Sequence, residues 1–400
     1  MKILVVQESD WLERNPHQQH HLMDRMDARG HQIKVIDYPI DWPKDTENKG
    51  LKFNREVHNN VCKVNPHTNI TVIRPSFIKI KGLNYASLYF SHKSEIEKQI
   101  KEFQPDVIVG LGLLNSYTAS KLAKKYNIPF VYYLIDNLYA LIPEKIFQGL
   151  GKQVFQKALK NSDLVITINQ KLSELAISLG AKPNETILID AGIDFNNYNP
   201  DLDDTNIRKE YNILPDDIVL FFMGFIYDFA GMKELAKKLG ENKEQYPKMK
   251  ILIVGDGDAY EELLKIQKDY ALEDQLILTG RQPYTKIPEF LASADFCLLP
   301  AYIHEEIMQD IVPIKLYEYL AMRKVVIATK LPGINKEFGE NNGIVYVESA
   351  DEVLNCAQEI LNNGTYEDMA QSGREYVKSN DWEAIVDKFE NTLNNLIEKF

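Results

Sequence analysis

Cysteine is scarce in this chain: three residues in 400 (Cys62, Cys297 and Cys356), at no paired spacing. A disulfide framework is therefore excluded, and Cys297 and Cys356, in apolar contexts, read as reduced buried thiols. Long hydrophobic runs are missing too. Nothing approaches the roughly 18 continuous apolar residues of a membrane span. The opening MKILVVQESDWLERN has no extended apolar core of the kind a signal peptide carries. These absences lead us to expect a cytoplasmic protein. Positive charge is not in excess: 46 Lys and Arg stand against 58 Asp and Glu, a net charge of −12. That balance argues against nucleic acid as a partner. Low-complexity tracts and short repeats are also absent.

What is present is a 400-residue chain of ordinary globular composition, with 44% hydrophobic and 26% charged residues. The length exceeds what one core usually serves, so two domains are expected. Charge is unevenly placed. Residues 1–200 carry 25 Lys and Arg against 21 Asp and Glu, and residues 201–400 carry 21 against 37. The less acidic first half is where an anionic surface or acceptor is tolerated.

Strand-like runs alternate with helix-length segments throughout. KILVV, QIKVIDY, NITVIRP, DVIVG, FVYYLID, LVITIN and TILID mark the first half. IVLFFMG, KILIVGDG, QLILTG, FCLLP, VVIAT and GIVYV mark the second. Such alternation predicts α/β architecture: two Rossmann-like doubly wound parallel-sheet domains facing each other across a cleft. We expect an N-terminal domain over 1–195, a linker over 196–216 and a C-terminal domain over 217–380. The amphipathic helix 381–400, with Ile385, Phe389, Leu393 and Ile397 on one face, is expected to pack back on the first domain. Residues 39–70 are polar and read as loop or irregular insertion. The stretch from Phe77 to Phe90 mixes lysines with aromatics; it suits either an amphipathic helix over a core or a membrane-surface contact.

The chemistry concentrates in PAYIHEEIMQDIVPIKLYEYLAMRKVVIATKLPG (Pro300–Gly333). Asp310 lies in a charged loop and Glu318 in a helix, with seven residues between them. Pro313 suits the first helical position, and the free N–H groups of a helix start, helped by Lys315, suit a phosphate. Other signals weigh less. GLGLLN (Gly110–Asn115) is half of a dinucleotide fingerprint without its third glycine, so NAD is not expected. His17, His20 and His21 lack a cysteine partner, and Met308 stands where His304, Glu305 and Glu306 would need a second histidine, so no metal site is expected.

RMDARGHQIKVIDY, LIDAGIDFNNYNP, VGDGDAYEELLKIQ, LILTGRQPYTKIPEFLASADFCLLP and IVPIKLYEYLAMRKVVIAT, in this order and spacing, resemble the retaining glycosyltransferases of family 4, which have the GT-B fold. The likeness covers nearly the whole chain, and its last piece is similar to a P-x-K-L-x-E-Y-L-A donor helix. It implies transfer of a sugar from a nucleotide diphosphate sugar, a co-substrate needing no further cofactor, to an acceptor hydroxyl with retention and without metal. The acceptor it implies is a glycan or lipid-linked precursor, reached at the inner face of the membrane. Glu318 matches the family's ribose contact and Asp310 a sugar-hydroxyl contact, here one methylene shorter than the usual Glu. Asp136 matches the Asp of a His-Asp pair whose His position holds Ile135. Gly224, Gly255, Gly280, Arg281, Gln282, Val312, Pro313, Ile314, Lys315, Leu316 and Glu318 would line the donor, and His17 or His20 the acceptor side. Two departures stand out. Phe225 and Ala230 occupy the places of an Arg and a Lys that neutralise the diphosphate, and Gln7–His21 replaces a glycine-rich loop. The first leaves open a non-catalytic sugar-nucleotide-binding partner; a GT-B sugar-nucleotide epimerase is a third reading.

Overall fold

The computed structural model describes residues 1–14, 16–39, 50–80, 83–140, 142, 145–305, 308–309 and 312–400. Asp310 and Glu306 lie outside the described residues. The chain divides into two compact units, Met1–Ala191 together with Trp382–Phe400, and Gly192–Asp381.

Unit 1 holds strands β1 (Lys2–Gln7), β2 (Gln32–Ile36), β3 (Lys52–Phe53), β4 (Glu56–Val61), β5 (Ile70–Arg74), β6 (Phe77–Ile78), β7 (Val107–Leu111), β8 (Phe130–Leu134), β9 (Leu164–Thr167) and β10 (Thr186–Leu188). Eight of them form one sheet in the order β10-β9-β8-β7-β1-β2-β5-β4. Every pair is parallel except β4 against β5. Apart from Lys2, the central strands β1, β7 and β8 are buried throughout, as befits a parallel sheet covered by helices on both faces. Helices Gln18–Ala28, Leu114–Tyr126, Lys145–Asn161 and Gln170–Ser178 provide part of that cover. Helix Trp382–Ile397 joins them from the far end of the chain, burying Trp382, Ile385, Val386, Phe389 and Leu393.

Unit 2 holds β11 (Ile218–Met223), β12 (Met249–Val254), β13 (Leu276–Leu278), β14 (Phe296–Leu299), β15 (Val325–Thr329) and β16 (Ile344–Val347). They form a wholly parallel sheet in the order β13-β12-β11-β14-β15-β16. Its core joins Leu220, Phe222, Ile251, Ile253 and Ile327 of the strands to Leu235, Leu263, Leu354 and Ala357 of the helices. The strand order reverses between β11 and β14, and ligands of open α/β sheets bind outside the carboxyl ends of strands at such a switch point.

The α/β class and the parallel sheets agree with the sequence reading. The reading of 39–70 as loop needs correction. Residues 40–49 lie outside the described residues, but β3 pairs with β6, and β4 adds an antiparallel edge to β5 with an irregular register between His58 and Val61. The burial of β4 shows why it escapes notice: no residue of the strand is fully buried. An edge strand with no core-facing side need not alternate apolar and polar residues.

Candidate functional site

Within unit 2, the residues expected to meet a donor gather at the carboxyl ends of β11, β12 and β13 and on the helix that follows β14. Gly224, Gly255 and Gly280 each have positive φ (118°, 144° and 66°). Gly224 N–H donates to the Val254 carbonyl and Gly255 N–H to the Gly280 carbonyl, both at 2.9 Å. A Cβ on Gly255 would run into the carbonyl of Gly224. The three turns are therefore stacked backbone on backbone, and only glycine fits the middle one. Beside them, Gln282 Nε2 donates to the Thr279 carbonyl at 3.1 Å, and the exposed Arg281 pairs with Asp256 at 3.0 Å.

Helix Ile314–Ala321 begins after Pro313, which takes extended backbone (φ −65°, ψ 132°) and is the N-cap rather than the first helical residue. Val312 and Leu316 are buried and seat this helix start on the sheet. Lys315 reaches back toward β11: its ammonium donates to the Met223 carbonyl at 3.0 Å and lies 4.1 Å from the Phe222 ring centroid. The same nitrogen would be 3.5 Å from a Cβ on Gly224. Burial pushes its pKa down to about 8, with Glu318 pulling the other way. One turn on, Glu318 is buried, and its Oε1 accepts from Tyr198 Oη at 2.6 Å and from Tyr284 Oη at 3.4 Å. Burial raises the Glu318 pKa; the two phenols and Lys315 oppose that rise.

The cation places tell a different story. Phe225 is exposed and its ring lies 4.6 Å from that of Tyr227, which stacks on Phe229 at 4.8 Å, while Ala230 is buried. Lys233 is held by Asp228 and Glu262 at 3.0 and 3.1 Å, so its charge is already matched. Among the described residues, Lys315 is thus the cation set at the Gly224 turn.

Unit 1 has its own polar edge. Arg74, at the end of β5, bridges Asp10 and Asp37, and Asp37 also accepts from the Trp11 N–H at 2.9 Å. Burial pushes the Asp37 pKa up to about 6 against the pull of Arg74. Asp136 follows β8; burial pushes it up to about 6 as well, opposed by the charge of Arg14. His17 is the N-cap of helix Gln18–Ala28, and His20 Nδ1 accepts from the His17 N–H at 2.9 Å. The His20 ring packs 4.3 Å from Trp11, and burial pushes its pKa down to about 3, so it is a neutral capping group. The helix start in GLGLLN is filled from within: the Glu8 carboxylate accepts from the N–H groups of Leu113 and Asn115. An internal carboxylate stands there in place of a ligand phosphate.

Residues 18–197 match the glycosyltransferase family 4 profile, and residues 203–376 match glycosyl transferases group 1. The chain belongs to the GT-B glycosyltransferases. Among curated relatives, this glycosyltransferase is 25% identical over 290 residues to TuaC of Bacillus subtilis, named for teichuronic acid biosynthesis; the match covers 71% of this chain and 69% of that protein. It is 26% identical over 205 residues to the lipopolysaccharide 1,2-N-acetylglucosaminetransferase of Salmonella typhimurium, 48% of this chain and 52% of that one. In fold it is similar to HepE of Anabaena, solved with UDP and with UDP-glucose; for the UDP complex the TM-score is 0.73 at 18% identity, over 99% of this chain and 100% of that one.

The sequence reading of this glycosyltransferase named Lys315, Glu318 and the three glycines, and the structure sets them around one sheet edge. It assigned no role to Tyr198, Tyr284, Asp37, Arg74 or Glu8. Tyr198 and Tyr284 lie inside the quoted segments LIDAGIDFNNYNP and LILTGRQPYTKIPEFLASADFCLLP, and Arg74 stands just before Pro75 at a strand end, but nothing in the linear pattern marked their partners.

Proposed function

We propose that this glycosyltransferase moves a sugar from a nucleoside diphosphate sugar to an acceptor hydroxyl with retention, holding the donor on unit 2 and the acceptor on unit 1. One observation carries the reading. Glu318 and Lys315 share a turn of helix at the switch point of the unit 2 sheet, with Lys315 beside the Gly224 turn. A carboxylate suits ribose hydroxyls and an ammonium suits a diphosphate. The UDP complexes of HepE support a nucleotide on this kind of fold.

In the proposed step the acceptor hydroxyl attacks the anomeric carbon from the face the diphosphate leaves. The leaving oxygen takes the hydroxyl proton as its bond to carbon breaks, and no covalent enzyme intermediate forms. Lys315 and the N–H groups of the helix start meet the charge that develops on the diphosphate. Asp310 contacts the donor sugar; Asp136 and His17 meet the acceptor. Chelation by EDTA is expected to leave turnover unchanged. The acceptor, a glycan or lipid-linked precursor, would be met at a membrane surface by exposed Leu51, Ile78, Leu83 and Phe90. Flotation with anionic vesicles checks this; a chain that stays at the bottom of the gradient removes the membrane from the proposal.

Calorimetry against UDP, GDP, ADP and their sugar derivatives tests the donor. Glu318→Ala should weaken binding of the preferred nucleotide by about 1.5–3 kcal/mol, the loss of a hydrogen bond to a charged group. Unchanged binding in that variant would remove the ribose role. A second reading, a sugar-nucleotide-binding partner without turnover, is favoured by Phe225 and Ala230 in the cation places. Binding with no donor consumption, acceptor supplied, would decide for it.

A further inference from the structure

The carboxylate of Glu318 is held in an unusual way. No ion pair reaches it among the described residues, although the residue is only 6% exposed. Its neighbour Lys315 spends its hydrogen bond on the Met223 carbonyl instead. What meets Oε1 is a pair of phenols from two distant parts of unit 2. Tyr198 Oη lies 2.6 Å away and Tyr284 Oη 3.4 Å away, with the two hydroxyls 3.3 Å apart. No described residue donates to Oε2.

Each tyrosine is itself placed by local structure. Asp194 Oδ1 accepts from the N–H groups of Asn196 and Asn197, and the Asp194 carbonyl accepts from Tyr198 N–H at 2.8 Å. This turn delivers Tyr198 at 2% exposure. Tyr284 opens the short 3-10 turn Tyr284–Lys286, directly after Pro283, which fixes the approach of the chain. A buried carboxylate without a donor pays a large desolvation penalty, and two phenol donors on one oxygen lower it. They also fix the rotation of the carboxylate, because Oε1 is tied from two directions.

We infer that Tyr198 and Tyr284 are positioning residues for Glu318, tying down one carboxylate oxygen so that the other is presented to the ribose hydroxyls of the donor. This rests on the ribose role proposed above. The hydroxyls act through Glu318 and touch no reacting atom. Their donors favour the ionised form of Glu318, so removing them lets it take up a proton at higher pH. The groups facing the carboxyl are Tyr198, Tyr284 and Lys315, with Tyr319 alongside on the helix and Asp194 behind Tyr284. Burial holds all three tyrosines above their usual range, which leaves Lys315, near 8, to shape only the alkaline limb.

The test measures affinity for the tightest binder among UDP, GDP and ADP between pH 5 and 9 in five proteins: the parent, Tyr198→Phe, Tyr284→Phe, Glu318→Gln and the double variant Tyr198→Phe/Glu318→Gln. Tyr198→Phe is expected to lose about 10-fold in affinity at pH 7 and to move the acid limb of the profile upward. Tyr284→Phe, at the longer distance, should lose less and move the limb the same way. In the Glu318→Gln background, Tyr198→Phe should add little, since the group it positions is no longer charged. Parent-like affinity and an unmoved acid limb in both phenylalanine variants, with Glu318→Gln weakened, would overturn the clamp alone. Parent-like binding by Glu318→Gln would overturn the ribose role, and the clamp with it. A merely structural tyrosine would lower the melting temperature without moving the limb. If Tyr198→Phe does not fold, the half-buried Tyr284→Phe decides.

Discussion

Lys315 is an ammonium kept partly out of water, and that gives it a measurable habit. At pH 9 the free protein holds this side chain mostly neutral, because burial has pushed it down to about 8. A diphosphate beside it favours the charged form, so binding should draw in a proton. The sign follows directly: uptake is largest between about 8 and the unperturbed lysine value near 10.4, and fades below pH 7, where the nitrogen is already charged. Calorimetry of the nucleotide in buffers of different ionisation enthalpy reads the number of protons, and Lys315→Met should bring it close to zero. A parent protein that takes up no proton at pH 9 would separate Lys315 from the diphosphate. At this scale the sequence exposed the charged residues and hid their partners. Tyr198 is 120 positions from Glu318 and Tyr284 is 34. Nothing in a linear pattern links a phenol to a carboxylate so far away; only the fold brings them together.

At the scale of elements, the sheet edge of unit 2 depends on backbone packed against backbone. Gly255→Ala would drive a methyl into the Gly224 carbonyl at a φ of 144°, with no flexible side chain to give way. Gly364, at φ 65°, has nothing within 4 Å of an added Cβ. We expect Gly364→Ala to cost about 1–2 kcal/mol, the left-handed penalty alone. Gly255→Ala should cost more and abolish nucleotide binding even where the chain still folds. Thermal melts and nucleotide titrations of the two variants make the comparison; equal losses would mean the glycine stack can relax. The strands that position this edge were plain in the sequence because they are buried on both faces and read as unbroken apolar runs. Glu56–Val61 was not, since none of its residues is fully buried and it joins the sheet as an antiparallel partner of Ile70–Arg74 at the edge.

The whole molecule is tied together by a contrast in continuity. Unit 2 is one unbroken segment, whereas unit 1 is completed only by Trp382–Phe400. Those last residues are well anchored. Trp382 stacks flat on His21 with ring centroids 4.8 Å apart, and Arg25 lies over the same ring at 5.2 Å. Arg29 binds Glu383, Asp387 and Glu390 at 2.7, 2.6 and 2.8 Å, while His31 adds a bond to Glu390 at 2.7 Å. Arg29→Ala should cost only about 1 kcal/mol, because these ion pairs are partly solvated. A chain stopped after Asp381 loses five buried side chains at about 1.5–3 kcal/mol each, comparable to the whole stability of a domain. Its unit 1 melting transition should vanish while nucleotide binding by unit 2 persists. A truncated chain with both transitions intact would show that the helix merely decorates unit 1.

The discontinuity also has a meaning in time. The ribosome must add the 190 residues of Gly192–Asp381 after Ala191 before it reaches Trp382. At about 5–20 residues per second that is roughly 10–40 s. Throughout that interval the face of the nascent unit 1 that will receive Trp382 and Phe389 has no cover. The half of the protein made first is therefore the half finished last, and its uncovered face is where a chaperone would be needed.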